Sequence, residues 1–314
     1  MSAIPMVDFD LLVLGDANPD LIVRGDVAPE FGQAEKLVDR ADLVIGGSGA
    51  IAACGAARLG LRVAFSGVVG EDVFGRFMLD ALAERDVDTQ GLVVDPSRPT
   101  GLSVVLSKGE DRATLTSLGA ISHLREGIID HALLRSVRHV HVSSYFLQTG
   151  LAADLPALFR EAHEAGAGTS IDPNWDPADE WDGGLLSLLS QTDCFLPNSV
   201  EARAITGVDD IDIAALTLAE RGSIVAVKFG QGGGLALWGD QVVRSESIPA
   251  DVVDTTGAGD SFDAGFLAGR LAGLPLSRCL QLAVACGSLS TRAAGGTAAQ
   301  PTMDEAVAAL ESVA

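Results

Sequence analysis

The chain has 314 residues, is 47% hydrophobic, and carries 43 acidic against 21 basic residues, a net charge of −22. That length can bury one large core, or a core with a small appended part. The charge excludes nucleic acid and anionic membrane as expected partners, because both select basic surfaces.

Residues 9–15 are an apolar run ending at glycine and predict a buried strand. Residues 16–45 mix acidic residues, glycine and short apolar pieces, which predicts irregular or exposed strands. Gly46-Gly47-Ser48-Gly49 opens a helix of small residues reaching Leu59. A strand at 62–67 and an amphipathic helix at 72–85 follow. Residues 100–107 and 113–117 predict a hairpin around Lys108-Gly109-Glu110-Asp111. Further strands are predicted at 137–143, 168–171, 192–196 and 224–229, with helices at 155–165 and 184–190 between them. A short hairpin covers 235–238 and 241–243, and helices at 260–272, 277–293 and 303–312 close the chain. This alternation predicts an α/β fold with a central, mostly parallel sheet covered by helices on both faces. No repeat or linker divides it, so residues 1–314 read as one domain. The helix-free segments 18–45 and 98–118 predict a small β-sheet projecting from it as a lid.

Cysteines stand at 54, 194, 279 and 286, with no C-x-x-C spacing and no histidine pattern that completes a zinc site. Three lie in apolar surroundings and read as small buried hydrophobes, which suits a reducing cytoplasm. Residues 1–10 lack the basic and apolar regions of a signal peptide. No uncharged apolar run approaches the length of a membrane span.

The chemistry concentrates in Asp254-Thr255-Thr256-Gly257-Ala258-Gly259-Asp260. Glycines let backbone approach an anion, and a helix N-terminus aims free N–H groups at it. Asp260 beside that anion could act as a base, or it could merely cap the helix. In open α/β sheets ligands collect at the carboxyl ends of strands. Asn18, Asp20, Ser144, Asn198, Glu201, Gly230 and Asp260 all fall at such ends.

The 254–260 run closely resembles a signature of the ribokinase-like (PfkB) carbohydrate kinase family, and the resemblance covers nearly the whole chain. It implies a ribokinase-like fold and transfer of a phosphoryl group from ATP to a hydroxyl. Asp260 is then the general base, and the Gly257-Ala258-Gly259 backbone is the anion hole. Gly15-Asp16-Ala17-Asn18-Pro19-Asp20 is similar to the family's first-strand motif, whose Asn and Asp bind sugar hydroxyls. Gly46, Gly47 and Ser48 belong to a segment resembling the first family signature, with Ser144 placed in the same acceptor set. The usual next Asn of that signature is Ile51 here, which removes one polar group.

Asn198-Ser199-Val200-Glu201 matches the family's N-x-x-E motif, in which Glu201 would organise Mg²⁺ partly through water; a helix cap would look the same. Lys228, Gly230 and Gly233 resemble the strand end along the nucleotide, and Cys286 the helix that covers adenine. Asp254 and Thr256 fall where many members hold a monovalent cation such as K⁺. The resemblance also implies a homodimer paired through the lid. No P-loop motif is present, so the Gly-Ala-Gly turn has to do the anion work.

For the acceptor, Asp172-Pro173-Asn174-Trp175-Asp176 is similar to a segment of ketodeoxygluconate kinases and fructokinases. There Arg often stands where Asp176 does here, so a neutral sugar is expected, with a nucleoside as the alternative. Tyr145 and Phe146 could stack on a base but read first as core, and His139 and His141 read as packing residues. A non-catalytic sugar or nucleotide binder is the remote alternative. A dinucleotide-dependent oxidoreductase is disfavoured, because no G-x-G-x-x-G follows the first strand.

Overall fold

The computed structural model describes residues 7–108 and 111–313. Gly109 and Glu110 of the expected hairpin turn lie outside the described residues, as do residues 1–6, on which the signal-peptide reading bears.

The first half contains β1 (Leu11–Leu14), β2 (Asn18–Arg24), β3 (Arg40–Gly46), α1 (Ser48–Arg58), β4 (Val63–Gly70), α2 (Val73–Ala83), β5 (Val87–Asp95), β6 (Leu102–Lys108) and β7 (Asp111–Ser117). Then come α3 (His131–Leu134), β8 (His139–Val142), α4 (Leu155–Glu164), β9 (Gly168–Ile171), α5 (Leu185–Leu188), β10 (Cys194–Phe195), α6 (Ser199–Thr206), α7 (Ile211–Ala219) and β11 (Ile224–Lys228). The chain closes with β12 (Gly234–Trp238), β13 (Gln241–Ser245), α8 (Ala258–Leu271), α9 (Leu276–Ser290) and α10 (Met303–Ser312).

Nine strands form the central sheet in the order β13-β12-β11-β10-β9-β8-β1-β4-β5. Every pairing from β11 to β5 is parallel, and the β12–β13 hairpin adds two antiparallel strands at one edge. Alternation along β1 divides the core. Leu11 and Val13 join the layer containing α1, α8 and α9, whereas Leu12 and Leu14 join the layer containing α4, α5 and α7. Both faces are therefore covered, as a parallel sheet requires. The four cysteines are all buried and free.

A second sheet has the order β3-β2-β6-β7 and is the lid. Its centre is the parallel β2–β6 pairing, in which Asp20 stands opposite Ser103; β3 and β7 flank it antiparallel. Residues 16–45 are, as their composition predicts, a mixture: two strands paired across the lid, the second largely exposed, joined by an irregular segment at 25–39.

Four elements went unread in the sequence, among them the single-turn α3. β5 contains Gly91 and pairs with β4 across a register shift, which interrupts its alternation. α6 and α7 follow directly on caps formed by Asn198 and Asp210.

Candidate active site

Between the lid and the carboxyl edge of the central sheet lies a cleft of about 1150 Å³. That exceeds a usual drug-sized pocket and is room for two ligands side by side. Its lining contains five carboxylates (Asp16, Asp20, Asp172, Glu201, Asp260) and two cationic residues, Arg112 and Lys228, among the described residues.

At the centre stands the start of α8. Its N-cap is Gly257, at φ 72°, and no side chain caps the helix. Asp260 is in the first turn and is not the cap, so the capping reading of Asp260 does not hold. A side chain at 257 would be strained by that φ, and its Cβ would lie 2.6 Å from Gly296 Cα and 2.9 Å from Ile51 Cγ2. Ser261 N–H donates to the Gly257 carbonyl at 2.9 Å. The amides of Gly259 and Asp260 precede that first helical bond and have no partner within the helix, as at any helix start. Gly257, Ala258, Gly259 and Asp260 all line the cleft.

Asp260 is buried, and its carboxyl is pushed up to about 8. Burial is the main cause; the Asp172 and Asp16 charges add to it, while Lys228 and a Ser48 hydrogen bond oppose it.

The end of the cleft where the sequence places the acceptor is built by the lid and the β1–β2 turn. Asn18 Nδ2 donates to Ser103 Oγ at 3.3 Å and to Asp20 Oδ1 at 3.4 Å. Burial, then the neighbouring Asp16, raises Asp20 to about 7. Gly46 leaves the space that the Asp20 carboxylate occupies: a Cβ there would be 2.0 Å from Oδ1. Asp16, which sequence reasoning did not single out, accepts from Ser48 N–H at 3.1 Å and Gly49 N–H at 2.9 Å and so caps α1 from outside. Asn174 Nδ2 donates to Ser48 Oγ (3.1 Å) and Ser144 Oγ (3.0 Å), joining two expected acceptor residues. Gly47 and Ser48 line the cleft, whereas Gly46 and Ser144 stand behind the lining.

The expected charge test at Asp176 requires correction. Asp176 is buried outside the cleft lining, and its carboxylate accepts the backbone N–H groups of Ala178, Glu180 and Trp181 at 2.7–2.9 Å. It shapes a turn and does not face an acceptor. Tyr145 and Phe146 pack in the core, and two other aromatics line the cleft: Phe262, which is buried, and Trp175, 55% exposed. His139 and His141 are buried and share the Ser170 hydroxyl at 2.8 Å each.

At the other end, Asn198 and Glu201 form a reciprocal capping box on α6. Both also line the cleft, with Gly230 and Gly233. Glu201 is raised to about 7, by burial first and Asp172 second. Lys228 reaches the cleft wall, but its ammonium is bound to Asp172 and Asp263. Cys286 is buried in the core, its thiol pushed up to about 12 by burial, while Val284, Gly287 and Ser288 of the same helix line the cleft. Asp254 accepts from Thr256 N–H (2.9 Å) and Gly295 N–H (3.0 Å). Two lid arginines meet this loop: Arg24 lies 3.4 Å from Asp254, and Arg112 donates to Thr256 Oγ1 at 2.8 Å.

Backbone amides and a raised carboxylate meeting under a lid are what transfer of a phosphoryl group to a small alcohol needs. The chain belongs to the pfkB family carbohydrate kinases, whose profile matches residues 8–303. It is accordingly an ATP-dependent phosphotransferase with an alcohol acceptor. It is 33% identical over 308 residues to a fructokinase from Klebsiella pneumoniae, covering 93% of this chain and 96% of that one. It is 30% identical over 303 residues to a nucleoside kinase from Methanothermobacter thermautotrophicus, covering 96% and 95%. The solved ribokinase from Arabidopsis thaliana, complexed with ribose and ATP, matches with a TM-score of 0.82 at 25% identity, covering 96% of this chain and 99% of that one.

Proposed function

We propose that the chain phosphorylates a hydroxyl of a small neutral sugar. The observation that carries this is the placement of Asp260 in the cleft, beside the N–H groups of residues 257–260 and below the Asn18–Asp20 lid contacts. Asp260 takes the proton from the acceptor hydroxyl, and a base titrating near 8 is well matched to that task. The amides of Gly257, Ala258, Gly259 and Asp260 stabilise charge on the transferred group. Asn18, Asp20 and Ser48 orient the acceptor, with Gly46, Gly47 and Ser144 supporting them. The lid excludes water.

Enzymes of this family bind ATP and Mg²⁺. Glu201 fits a cation: it is a buried carboxylate at the cleft wall whose ionised form burial disfavours. We assign it, with Asn198, to holding Mg²⁺ through water. Mg²⁺ held there would offset negative charge on the nucleotide's phosphates. Gly230 and Gly233 would lie along the nucleotide, with Lys228 in the wall beneath it and the Cys286 helix covering adenine. At Asp254 and Thr256, the arginines of the lid already balance the carboxylate, so we expect little stimulation by K⁺.

In the ionised state that accepts a proton, Asp260, with Asp16 and Asp20 nearby, would repel an anionic acceptor, and this now carries the preference for neutral substrates in place of Asp176. Trp175 offers an aromatic face at the cleft and favours a nucleoside as the second reading. We take residues 1–314 as one kinase domain with the lid at 18–45 and 98–118, acting in the cytoplasm. We propose a homodimer through the lid, whose edge strands expose Leu43 and Leu115.

The test is ATP consumption across neutral hexoses, pentoses, nucleosides, sugar phosphates and keto acids, with and without K⁺. A neutral sugar is expected to give the highest kcat/KM. A nucleoside optimum selects the second reading, an acid optimum overturns the charge argument, and no turnover with any of them favours a non-catalytic binder.

A further inference from the structure

Lys228 has the most constrained charge in the cleft. Its Nζ lies 2.8 Å from Asp172 Oδ2 and 2.9 Å from each oxygen of Asp263. Three donors thus meet three acceptor oxygens, which an ammonium satisfies completely. The partners come from separate elements: Asp172 follows β9, Lys228 ends β11, and Asp263 lies in α8 one turn beyond Asp260. All three are buried. The Lys228 stem runs against the glycine turn, since a Cβ on Gly259 would sit 3.6 Å from Cδ and 3.7 Å from Nζ. Asp172, Asp260 and Asp263 each present an oxygen within 4.8 Å of the others, a spacing that suits a metal ion. Here the chain's own ammonium sits against two of them.

Carboxylates this close, away from water, repel strongly when ionised, which adds to burial in holding Asp260 and Asp263 above the usual carboxylate range, and the first two turns of α8 carry these two of the three. We propose that Lys228 is a positioning residue for phosphoryl transfer: its ammonium is a resident cation that, through Asp263 in the second turn, clamps the start of α8 and the Gly257–Asp260 amides onto the sheet edge at Asp172. The catalytic consequence rests on the kinase reading above; the clamp itself does not. Lysine suits the place better than arginine, because a compact ammonium fits between convergent oxygens where a planar fork would not. Lys228 then acts through Asp260 and the amides, without touching the acceptor.

The experiment compares the full chain with Lys228→Met, Asp263→Asn and Lys228→Met/Asp263→Asn. Breaking one partner of a buried ion pair is strongly destabilising, so the double variant, which removes one charge of each sign, guards against simple unfolding. Amide hydrogen exchange is followed by mass spectrometry in residues 257–263 and, for reference, in β8 to β10. Both variants lacking Lys228 are expected to exchange about tenfold or more faster at 257–263, with the reference strands unchanged. Asp263→Asn keeps the ammonium and its Asp172 partner and is expected to loosen the same amides by a smaller factor. With the best acceptor, loss of the ammonium is expected to cut kcat about 100-fold or more while KM for ATP stays within about threefold, the pattern of a lost transition-state arrangement. Protection at 257–263 matching wild type in the folded variants overturns the clamp. So does a loss confined to KM for ATP. If wild type itself turns over no acceptor, the kinase reading fails and the exchange data still decide the clamp.

Discussion

The two walls of the cleft are built on different physical terms. The floor rests on the carboxyl edge of a parallel sheet with helices on both faces, and its contacts are short: 2.8–2.9 Å at Lys228, among buried groups. The lid is a single four-stranded sheet, with Leu115 of its edge strand 63% exposed and acceptor-side contacts of 3.3–3.4 Å at Asn18. The floor is held by burial and charge, so geometry there is costly to change. The lid is held mainly by strand pairing, so its side chains can vary without loss of fold. On the proposed function, reaction type would belong to the floor and acceptor choice to the lid.

The sharpest way to break this comparison is Asp260→Asn. Turnover is expected to fall ~10²–10⁴-fold, the usual range for a lost general base, while ATP affinity changes little. A variant of near-normal kcat removes the floor from the chemistry. The same variant should be more stable than wild type in alkaline buffer. Native Asp260 holds its proton up to about 8, whereas the unfolded chain releases it near 3.8. The native state therefore binds more protons across that window, so its stability falls as pH rises from the lower value to the higher. Melting temperatures should be nearly equal near pH 4 and should favour Asp260→Asn near pH 8.

The pH profile of turnover sharpens the same point. Asp260 must be ionised to accept a proton, so kcat/KM for the acceptor should rise with pH, reach half its maximum near 8 and level off above that. A profile flat from pH 6 to 8 would mean that Asp260 titrates well below that range in the working enzyme.

The smallest effect is expected on the lid. Asn18→Ala removes weak contacts to Ser103 and Asp20 and should raise acceptor KM by about tenfold, the worth of one or two hydrogen bonds, leaving kcat within a few fold. A collapse of kcat would show that the lid shares the floor's task.

Much of the floor could be read from the sequence because its parts are local. The Gly257–Asp260 turn and the Asn198–Glu201 spacing each occupy a single short segment. The Lys228 cluster could not be read that way: its partners lie 56 and 35 residues away, and only the strand order brings them together. Asp16 was hidden because its role is to cap a helix that starts 32 residues later. Asp176 misled for the opposite reason. Its position in a recognisable segment suggested a ligand, while its local backbone had already claimed the carboxylate. α6 escaped because one residue pair signals both a cap and a metal motif.

The parallel pairing at the centre of the lid bears on how the chain folds. Asp20 and Ser103 are opposite each other in register but 83 residues apart in sequence. Contacts of such long separation close large loops and come late in folding. A ribosome-bound chain could pair β2 with β3 but would lack its parallel partner until the β6 segment emerged. The acceptor site would then be among the last parts of this half of the molecule to assemble, and, with so little burial on its outer side, among the first to open.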